Sequence, residues 1–238
     1  MLFGITMARA FPFLQRTKMA VGDAMVLSCT LTMPTRLDGS PWPGGKRPLL
    51  VMFRPPKGMK SGELFVADPL PGGGKPPLSD YQRLALEPMP LFGGAAYVFV
   101  TDNFDQRRYY IVQCTDGQKV TEADPVISKI DAGPSGFSEK FVSVDPSLPA
   151  AFSWPVAANA DHWIHFIVIN QEDRLLSGVY MRNNDWVYGQ LADLPYYIHD
   201  PMRMSPLKVG ETYGLMYHAV DMDGWVSMSC VRSFETAV

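Results

Sequence analysis

The sequence predicts an all-β protein made of two tandem antiparallel β-sandwich domains that are related by internal duplication. Three observations carry this prediction: short apolar runs punctuated by Gly and Pro, strand-like alternation within those runs, and a pattern that recurs after 116 residues. The chain has 238 residues, including 20 Gly and 21 Pro. This length is enough for one large domain or two small ones.

The repeat is clearest where Pro-Leu-x-x-Gly-x-x-Tyr occurs twice, at residues 90–97 and 206–213. Over the ungapped window 61–114, eleven of 54 positions carry the same residue 116 positions later, whereas ordinary residue usage would give roughly three or four. The identical pairs are Ser61/Ser177, Gly62/Gly178, Gly73/Gly189, Leu78/Leu194, Tyr81/Tyr197, Pro90/Pro206, Leu91/Leu207, Gly94/Gly210, Tyr97/Tyr213, Asp105/Asp221 and Cys114/Cys230. Most of them shape turns or fill cores, so we expect one fold to be built twice.

The predicted strands are short in both copies. "LLVMF" at 49–53 and "FIVI" at 166–169 are apolar, rich in branched residues and too short for helices. In "AAYVFVTD" (95–102) a period of two places Tyr97 and Phe99 on one face. The same period places Tyr213, Leu215 and Tyr217 on one face of "TYGLMYHAVD". The turn "DMDG" (221–224) has the residues that tight hairpins favour, and residues 80–86 are the best helical candidate.

Breaker residues set the predicted domain limits. The segment 117–136 is polar and contains Pro125, Gly133, Pro134 and Gly136. We therefore expect a first β-sandwich at 1–120 with Gly/Pro-rich loop insertions, a linker at 121–136 and a second β-sandwich at 137–238.

Charge and hydropathy exclude several classes of protein. A formal net charge of −3 and a pI of about 5.8 argue against nucleic-acid binding, which needs a basic face. No apolar run reaches the ~18 residues of a membrane span. The first six residues contain no Lys or Arg, and Arg9 interrupts the apolar start, so we expect no cleavable signal peptide.

The three cysteines, Cys29, Cys114 and Cys230, cannot all pair within one chain. Buried reduced thiols that pack as small hydrophobes and a Cys29–Cys114 bridge across a sandwich both remain open.

The stretches that resemble catalytic or cofactor-binding motifs lack the residues or the spacing that those motifs require. In "PGGGKPP" (71–77) Lys75 is followed by Pro76, which opposes the helix start that a phosphate loop requires. The two His of "HWIH" (162–165) project to opposite faces of a strand, and zinc needs three or four ligands. The sequence contains no Gly-x-Ser-x-Gly. We therefore expect no catalytic residues, no cofactor, no metal site and no enzyme activity.

Aromatic and loop residues are the candidates for contact with a partner. Exposed rings can stack on sugars or anchor a protein interface, and Gly-rich loop tips can touch a neighbour. The alternative for the aromatic residues is packing in the core. The predicted contact residues are Trp42, Lys46, Lys75, Trp186, Tyr188 and Tyr196.

A resemblance to a known family lies in "PLKVGETYGLMYHAVDMDGWVSMSCVRSFET" (206–236). This stretch resembles the end of a fibronectin type III or related immunoglobulin-like module, with Leu207, Gly210 and Tyr213 at the corner before a strand. "FSWPVAANADHWIHFIVIN" (152–170) resembles the front of such a module. The resemblance implies that Trp154 is a core residue, that Phe166 and Val168 face inward, and that Tyr213 and Tyr97 bond back to nearby backbone.

The expected function follows from the architecture. We expect a non-enzymatic structural or interaction protein that docks to other protein subunits of a larger assembly. Immunoglobulin-like modules usually work outside cells, so a virion component such as a bacteriophage decoration, tail or fibre-adaptor protein would reconcile this with the lack of an export signal. The alternative is a module that binds carbohydrate or a cell surface.

Overall fold

The structure is a computed structural model and describes residues 27–32, 40, 48–56, 62–101, 106–118, 120–129, 135–155, 162–190, 196–197 and 205–238. Side chains of residues 27–28, 162–163 and 196–197 are outside this description. Regular structure in the described residues is β, apart from two three-residue 3-10 helices, Leu78–Asp80 and Phe92–Gly94. The predicted all-β class is therefore confirmed. Among the described residues, no helix has the length and apolar character to cross a membrane.

Eighteen strands are found in the described residues. The first nine are β1 Leu27–Thr32, β2 Leu49–Arg54, β3 Gly62–Ala67, β4 Gln82–Leu84, β5 Met89–Leu91, β6 Ala96–Thr101, β7 Tyr109–Thr115, β8 Val120–Glu122 and β9 Val126–Ile127. The other nine are β10 Gly136–Phe137, β11 Ser143–Asp145, β12 Ala151–Ser153, β13 His162–Gln171, β14 Arg174–Met181, β15 Asp185–Val187, β16 Tyr196–Tyr197, β17 Thr212–Asp221 and β18 Val226–Glu235.

The described residues divide into two compact units. The N-terminal unit comprises those of Gly22–Gly136 together with Asp223–Ser227, and the C-terminal unit comprises those of Phe137–Met222 and Met228–Val238. The N-terminal unit is therefore built from two stretches of chain that lie far apart in the sequence.

The described residues of the N-terminal unit form two antiparallel sheets. One has the order β1-β2-β6-β5, and the other has the order β4-β3-β7-β8 with β9 also paired to β7. Leu49, Val51 and Phe53 alternate along β2 and point into the core, where Phe53 stacks on Phe99 with ring centroids 5.2 Å apart. β-Branched and aromatic residues fill such pleated surfaces well, which explains why these runs form strands.

Trp225 lies in the core of the N-terminal unit although it is far in sequence from the rest of that unit. It is buried and belongs to the same apolar cluster as Leu49, Phe99 and Val126. Backbone bonds hold its segment: the Thr30 N–H donates to the Gly224 carbonyl at 2.8 Å, and the Ile127 N–H donates to the Asp223 carbonyl at 3.0 Å. The predicted "DMDG" turn is found at this point.

Two antiparallel sheets are likewise found in the part of the C-terminal unit that the structure describes. The larger has the order β10-β18-β17-β13-β14-β16, and the smaller has the order β11-β12-β15. Trp154, Phe152 and Trp186 pack in its core, so the predicted core position of Trp154 is confirmed. Tyr213, Leu215 and Tyr217 lie in this core on one face of β17, as predicted.

The inward face of β13 was predicted one residue out of phase. Ile167 and Ile169 lie in the core cluster, so Phe166 and Val168 point to the opposite face of the strand. Phe166 stacks on Tyr180 there, with centroids 4.4 Å apart, and both Phe166 and Val168 are buried. Because β13 is buried on both faces, its apolar run contains no alternation from which the sequence could identify the inner face.

Strands are found both in the stretch predicted as a linker and in the helical candidate. The stretch predicted as a linker, 121–136, contains most of β8 and all of β9, and both strands pair with β7. The helical candidate 80–86 contains β4, which pairs with β3. In both cases the neighbouring strand supplies backbone partners that local propensity does not reveal.

The cysteines are all free thiols, so the Cys29–Cys114 bridge, one of the two alternatives, is absent. Cys114 and Cys230 are buried in β7 and β18. Burial raises the pKa of the Cys114 thiol to about 12. These two thiols therefore act as small apolar core groups.

Candidate functional site

Trp186 and Tyr188, two of the predicted contact residues, lie inside the C-terminal core. Trp186 is 4% exposed and stacks on Phe152 at 5.6 Å. Its indole N–H donates to the Gln190 carbonyl at 2.9 Å, and the Tyr188 hydroxyl donates to the Ser205 carbonyl at 2.8 Å. Burial raises the pKa of Tyr188 to about 12. These rings are not the exposed contacts that the sequence suggested, because their faces pack against core residues.

Three other predicted contact residues cannot be placed as contacts. Trp42 and Lys46 lie outside the described residues. Tyr196 is described by its backbone alone, which pairs with Tyr180 in the register of β14 and β16.

Lys75 is exposed on the loop that connects β3 to the 3-10 helix Leu78–Asp80. This loop is bonded to itself: the Leu70 N–H donates to the Gly74 carbonyl and the Gly73 N–H donates to the Leu70 carbonyl, both at 2.8 Å. Gly72 and Gly73 adopt φ values of 88° and 85°, a region that favours glycine. The Tyr109 hydroxyl donates to the Gly73 carbonyl at 3.1 Å, so strand β7 anchors the loop.

A surface pocket of about 290 Å³ lies beside this loop, within the N-terminal unit. Its walls come from the end of β3, the start of the loop, the 3-10 helix, β4 and the residue before β7. The lining residues are Val66, Ala67, Asp68, Pro69, Leu70, Pro71, Asp80, Gln82 and Arg108. We refer to this feature as the loop pocket.

The charged groups of the loop pocket are two carboxylates and one guanidinium. Arg108 Nε lies 3.0 Å from Asp68 Oδ1, but this N–H makes no hydrogen bond in the described residues, so the contact is an ion pair with poor hydrogen-bond direction. Arg108 Nη2 donates to Gln106 Oε1 at 2.8 Å. The Asp68 side chain is 74% exposed whereas that of Arg108 is 22% exposed. The carboxylate thus faces solvent and the guanidinium forms part of the wall.

Exposed leucines are found on the same part of the chain as the loop pocket. Leu70 is 41% exposed and lines the pocket, and Leu78 in the adjoining 3-10 helix is 59% exposed. Single exposed apolar side chains are common on protein surfaces, so it is their position next to a concave surface that makes these two leucines candidates for contact with a partner.

The pocket residues Asp68, Asp80 and Arg108 were missed by the sequence analysis. Their positions follow from strand pairing: Ala67 lies opposite Tyr109 in the register of β3 and β7, so the residues just beyond each strand end meet. The single signal in the sequence was the Pro/Gly-rich loop itself, which singled out Lys75.

The corner tyrosines differ between the two units. The Tyr213 hydroxyl accepts a hydrogen bond from the Lys208 backbone N–H at 2.9 Å, which is the bond back to nearby backbone that the resemblance implies. Thr236 contacts the Lys208 carbonyl through its hydroxyl and ties the last strand to this corner. Tyr97 stacks on Phe53 at 5.5 Å, and no hydrogen bond of its hydroxyl is found in the described residues.

Buried histidines of the C-terminal unit make structural contacts. His165 Nδ1 lies 2.8 Å from the Tyr217 hydroxyl, and its ring lies 5.2 Å from that of Trp154. His218 Nδ1 lies 3.0 Å from Ser229 Oγ. Within the part of the chain that the structure describes, no group of three or more His, Cys, Asp or Glu is placed to hold a metal ion.

No family model matches the chain, and no curated protein matches it.

Proposed function

We propose that this chain is a non-enzymatic interaction protein that docks to another protein subunit through the loop pocket and its two leucines. The observation that carries the proposal is the pairing of exposed Leu70 and Leu78 with a concave, charged surface on an anchored loop. Protein interfaces combine apolar anchors with a polar rim. An anchored loop also loses little conformational freedom on binding, which favours association.

The larger assembly in this proposal is a virion or another extracellular particle. Its support is the architecture: the described residues form two compact all-β units, each with its own apolar core. Mass spectrometry of particles purified from the source would test this setting, and absence of the chain from them would contradict it.

We infer that the C-terminal unit is an immunoglobulin-like sandwich. The support is its strand order, because the last two strands, β18 and β17, lie beside β13 in one sheet while β11, β12 and β15 form the other. Immunoglobulin-type sandwiches divide their strands in this way, with the final strands beside a middle strand. The bonded corner at Tyr213 gives the same support.

An internal duplication is the second part of this inference. Matched glycines share backbone geometry, with φ of 85° and 90° at Gly73 and Gly189 and of 87° and 74° at Gly94 and Gly210. The strand pairs β2–β6 and β13–β17 also correspond. Other strands pair differently in the two units, so the duplication requires that partners changed afterwards. Superposition of experimentally determined units that fails at these positions would contradict it.

Site-specific photo-crosslinking tests the docking surface. A photoreactive residue in place of Leu78 is compared with one in place of Met89, which is also exposed in the N-terminal unit but does not line the loop pocket. In extracts of the source, we expect position 78 to cross-link one protein in high yield and position 89 to give little product. Equal yields at both positions would overturn the proposal.

The carbohydrate-binding alternative has less support. Stacking on a sugar needs an exposed ring, and Trp186 and Tyr188 are buried. Among the lining residues of the loop pocket there is no aromatic side chain.

A further inference from the structure

The loop pocket has the size of a site for one side chain. Pockets that enclose whole small-molecule ligands measure about 300–1,000 Å³, and this pocket, at about 290 Å³, lies just below that range. Its open position beside Leu70 and Leu78 suits a side chain that projects from a segment bound across the surface. This inference rests on the proposed docking function and concerns the chemistry of the partner.

The charge of the pocket favours a cation. Two carboxylates, Asp68 and Asp80, line it together with one guanidinium, that of Arg108. The guanidinium forms an ion pair with Asp68 and donates a hydrogen bond to Gln106. Asp80 accepts a hydrogen bond from the Ser79 hydroxyl at 3.0 Å, and no ion pair of Asp80 is found in the described residues. The pocket therefore has one carboxylate in excess.

The apolar part of the wall favours a long stem on that cation. Val66, Pro69, Leu70 and Pro71 line the same pocket as the carboxylates. Lysine and arginine side chains combine an apolar stem with a charged head and lay the stem along apolar surface. A simple inorganic cation would leave this apolar wall unused, and an anionic group would meet the excess carboxylate.

We propose that the loop pocket binds a lysine or arginine side chain of a partner protein, with neighbouring apolar residues of that partner packing on Leu70 and Leu78. The head group lies between Asp80 and Asp68, and the stem contacts the proline and leucine wall. Arg108 positions Asp68 through their ion pair.

The test uses three capped pentapeptides and the full-length chain. The probe has the sequence Gly-Leu-Arg-Leu-Gly, the first control replaces arginine with the neutral isostere citrulline, and the second replaces it with glutamate. Binding is followed by changes in the backbone amide NMR signals of labelled protein. We expect the arginine peptide to shift signals of residues 66–70 and 80–82, and the citrulline peptide to bind about two- to fivefold more weakly, the range of an exposed ion pair.

Matched variants locate the charge that matters. Asp80→Asn keeps the shape of the side chain and should weaken the arginine peptide by the same factor without changing the affinity for the citrulline peptide. Glu87→Gln removes an exposed carboxylate of the same unit that does not line the pocket, and it should leave both affinities unchanged. Raising the salt concentration should reduce the difference between the two peptides, because salt screens exposed charges.

The outcomes separate this inference from the docking function. Equal binding of the arginine and citrulline peptides, tighter binding of the glutamate peptide, or no shift at the pocket with any peptide would each overturn the basic side chain as the ligand. In all three cases a strong cross-link at position 78 would still support docking. Loss of that cross-link together with selective binding of the arginine peptide would overturn the docking surface alone.

Discussion

Some strands of matching sequence pair alike in the two units, and others pair differently. β2 pairs with β6 in the N-terminal unit, and β13 and β17, which contain the residues 116 positions later, pair in the C-terminal unit. β3 then pairs with β7, whereas β14 pairs with β13 and β18 lies beside β17. Similar turns and buried positions thus occur in two strand orders. The comparison teaches that local sequence determines turns, while the partner of a strand depends on the rest of its unit.

The units also complete their cores differently. The C-terminal core takes Trp154 from the residue that follows β12 and Trp186 from β15. The N-terminal core takes Trp225 from the distant stretch Asp223–Ser227. The N-terminal unit therefore depends on a segment outside its main stretch of chain.

The largest effect is expected from a substitution that removes Trp225 from the N-terminal core. Trp225→Ala removes a fully buried ring and should lower the stability of the N-terminal unit by about 3–5 kcal/mol, the usual cost of truncating a core aromatic residue. Hydrogen exchange of the full chain measures it, because a chain with two units need not unfold in one step. Peptides covering β2 and β7 should lose protection.

Trp225→Phe serves as the control, since it keeps an aromatic ring in the core and should restore most of the protection. If β2 and β7 keep their protection in Trp225→Ala, the role of this residue in the N-terminal core is wrong.

The next largest effect is expected from acid, which should lower the stability of the C-terminal unit through His218. Burial lowers the pKa of His218 from its ordinary value of 6.5 to about 4, so the unfolded chain binds a proton more readily than the folded one. Stability contributed by neutral His218 is present above pH 6.5 and is lost as the pH falls toward 4, by about 3 kcal/mol at most. All four histidines of the chain, at 162, 165, 199 and 218, belong to the second half of the sequence.

Urea unfolding between pH 7 and pH 4, followed by hydrogen exchange in peptides of the C-terminal unit, checks this expectation. His218→Phe should flatten the decline of stability with acidification in that range. An equally steep decline in the variant would show that other groups control the acid response.

The smallest effect is expected from removing the hydroxyl groups of the two corner tyrosines. Tyr213→Phe removes a hydrogen bond from the Lys208 N–H and should lower the stability of the C-terminal unit by about 1 kcal/mol. Tyr97→Phe should change the stability of the N-terminal unit by less, because its ring packs on Phe53 with or without the hydroxyl.

Thermal unfolding of the two variants, with hydrogen exchange to assign the unit affected, measures the difference. A larger loss from Tyr97→Phe than from Tyr213→Phe would contradict the contrast between the two corners.

Part of the candidate site was accessible from the sequence. The Pro/Gly-rich loop drew attention to Lys75, which is exposed, and the loop pocket lies beside that loop. Asp68, Asp80 and Arg108 could not be predicted, because ordinary charged residues carry no signal until β3 and β7 pair and bring their ends together. Trp186 and Tyr188 were misplaced for the opposite reason: turn formers surround them, but their rings pack inward and their polar atoms bond to backbone carbonyls.

The sequence by itself determined the all-β class, the turn at 221–224, the buried faces of β6 and β17 and the core position of Trp154, because these follow from short-range alternation and turn chemistry. Tertiary structure alone decided which strands pair, which face of β13 points inward, and that Trp225 belongs to the N-terminal core. Such choices depend on contacts between residues far apart in the chain, whose free energy no local pattern of residues encodes.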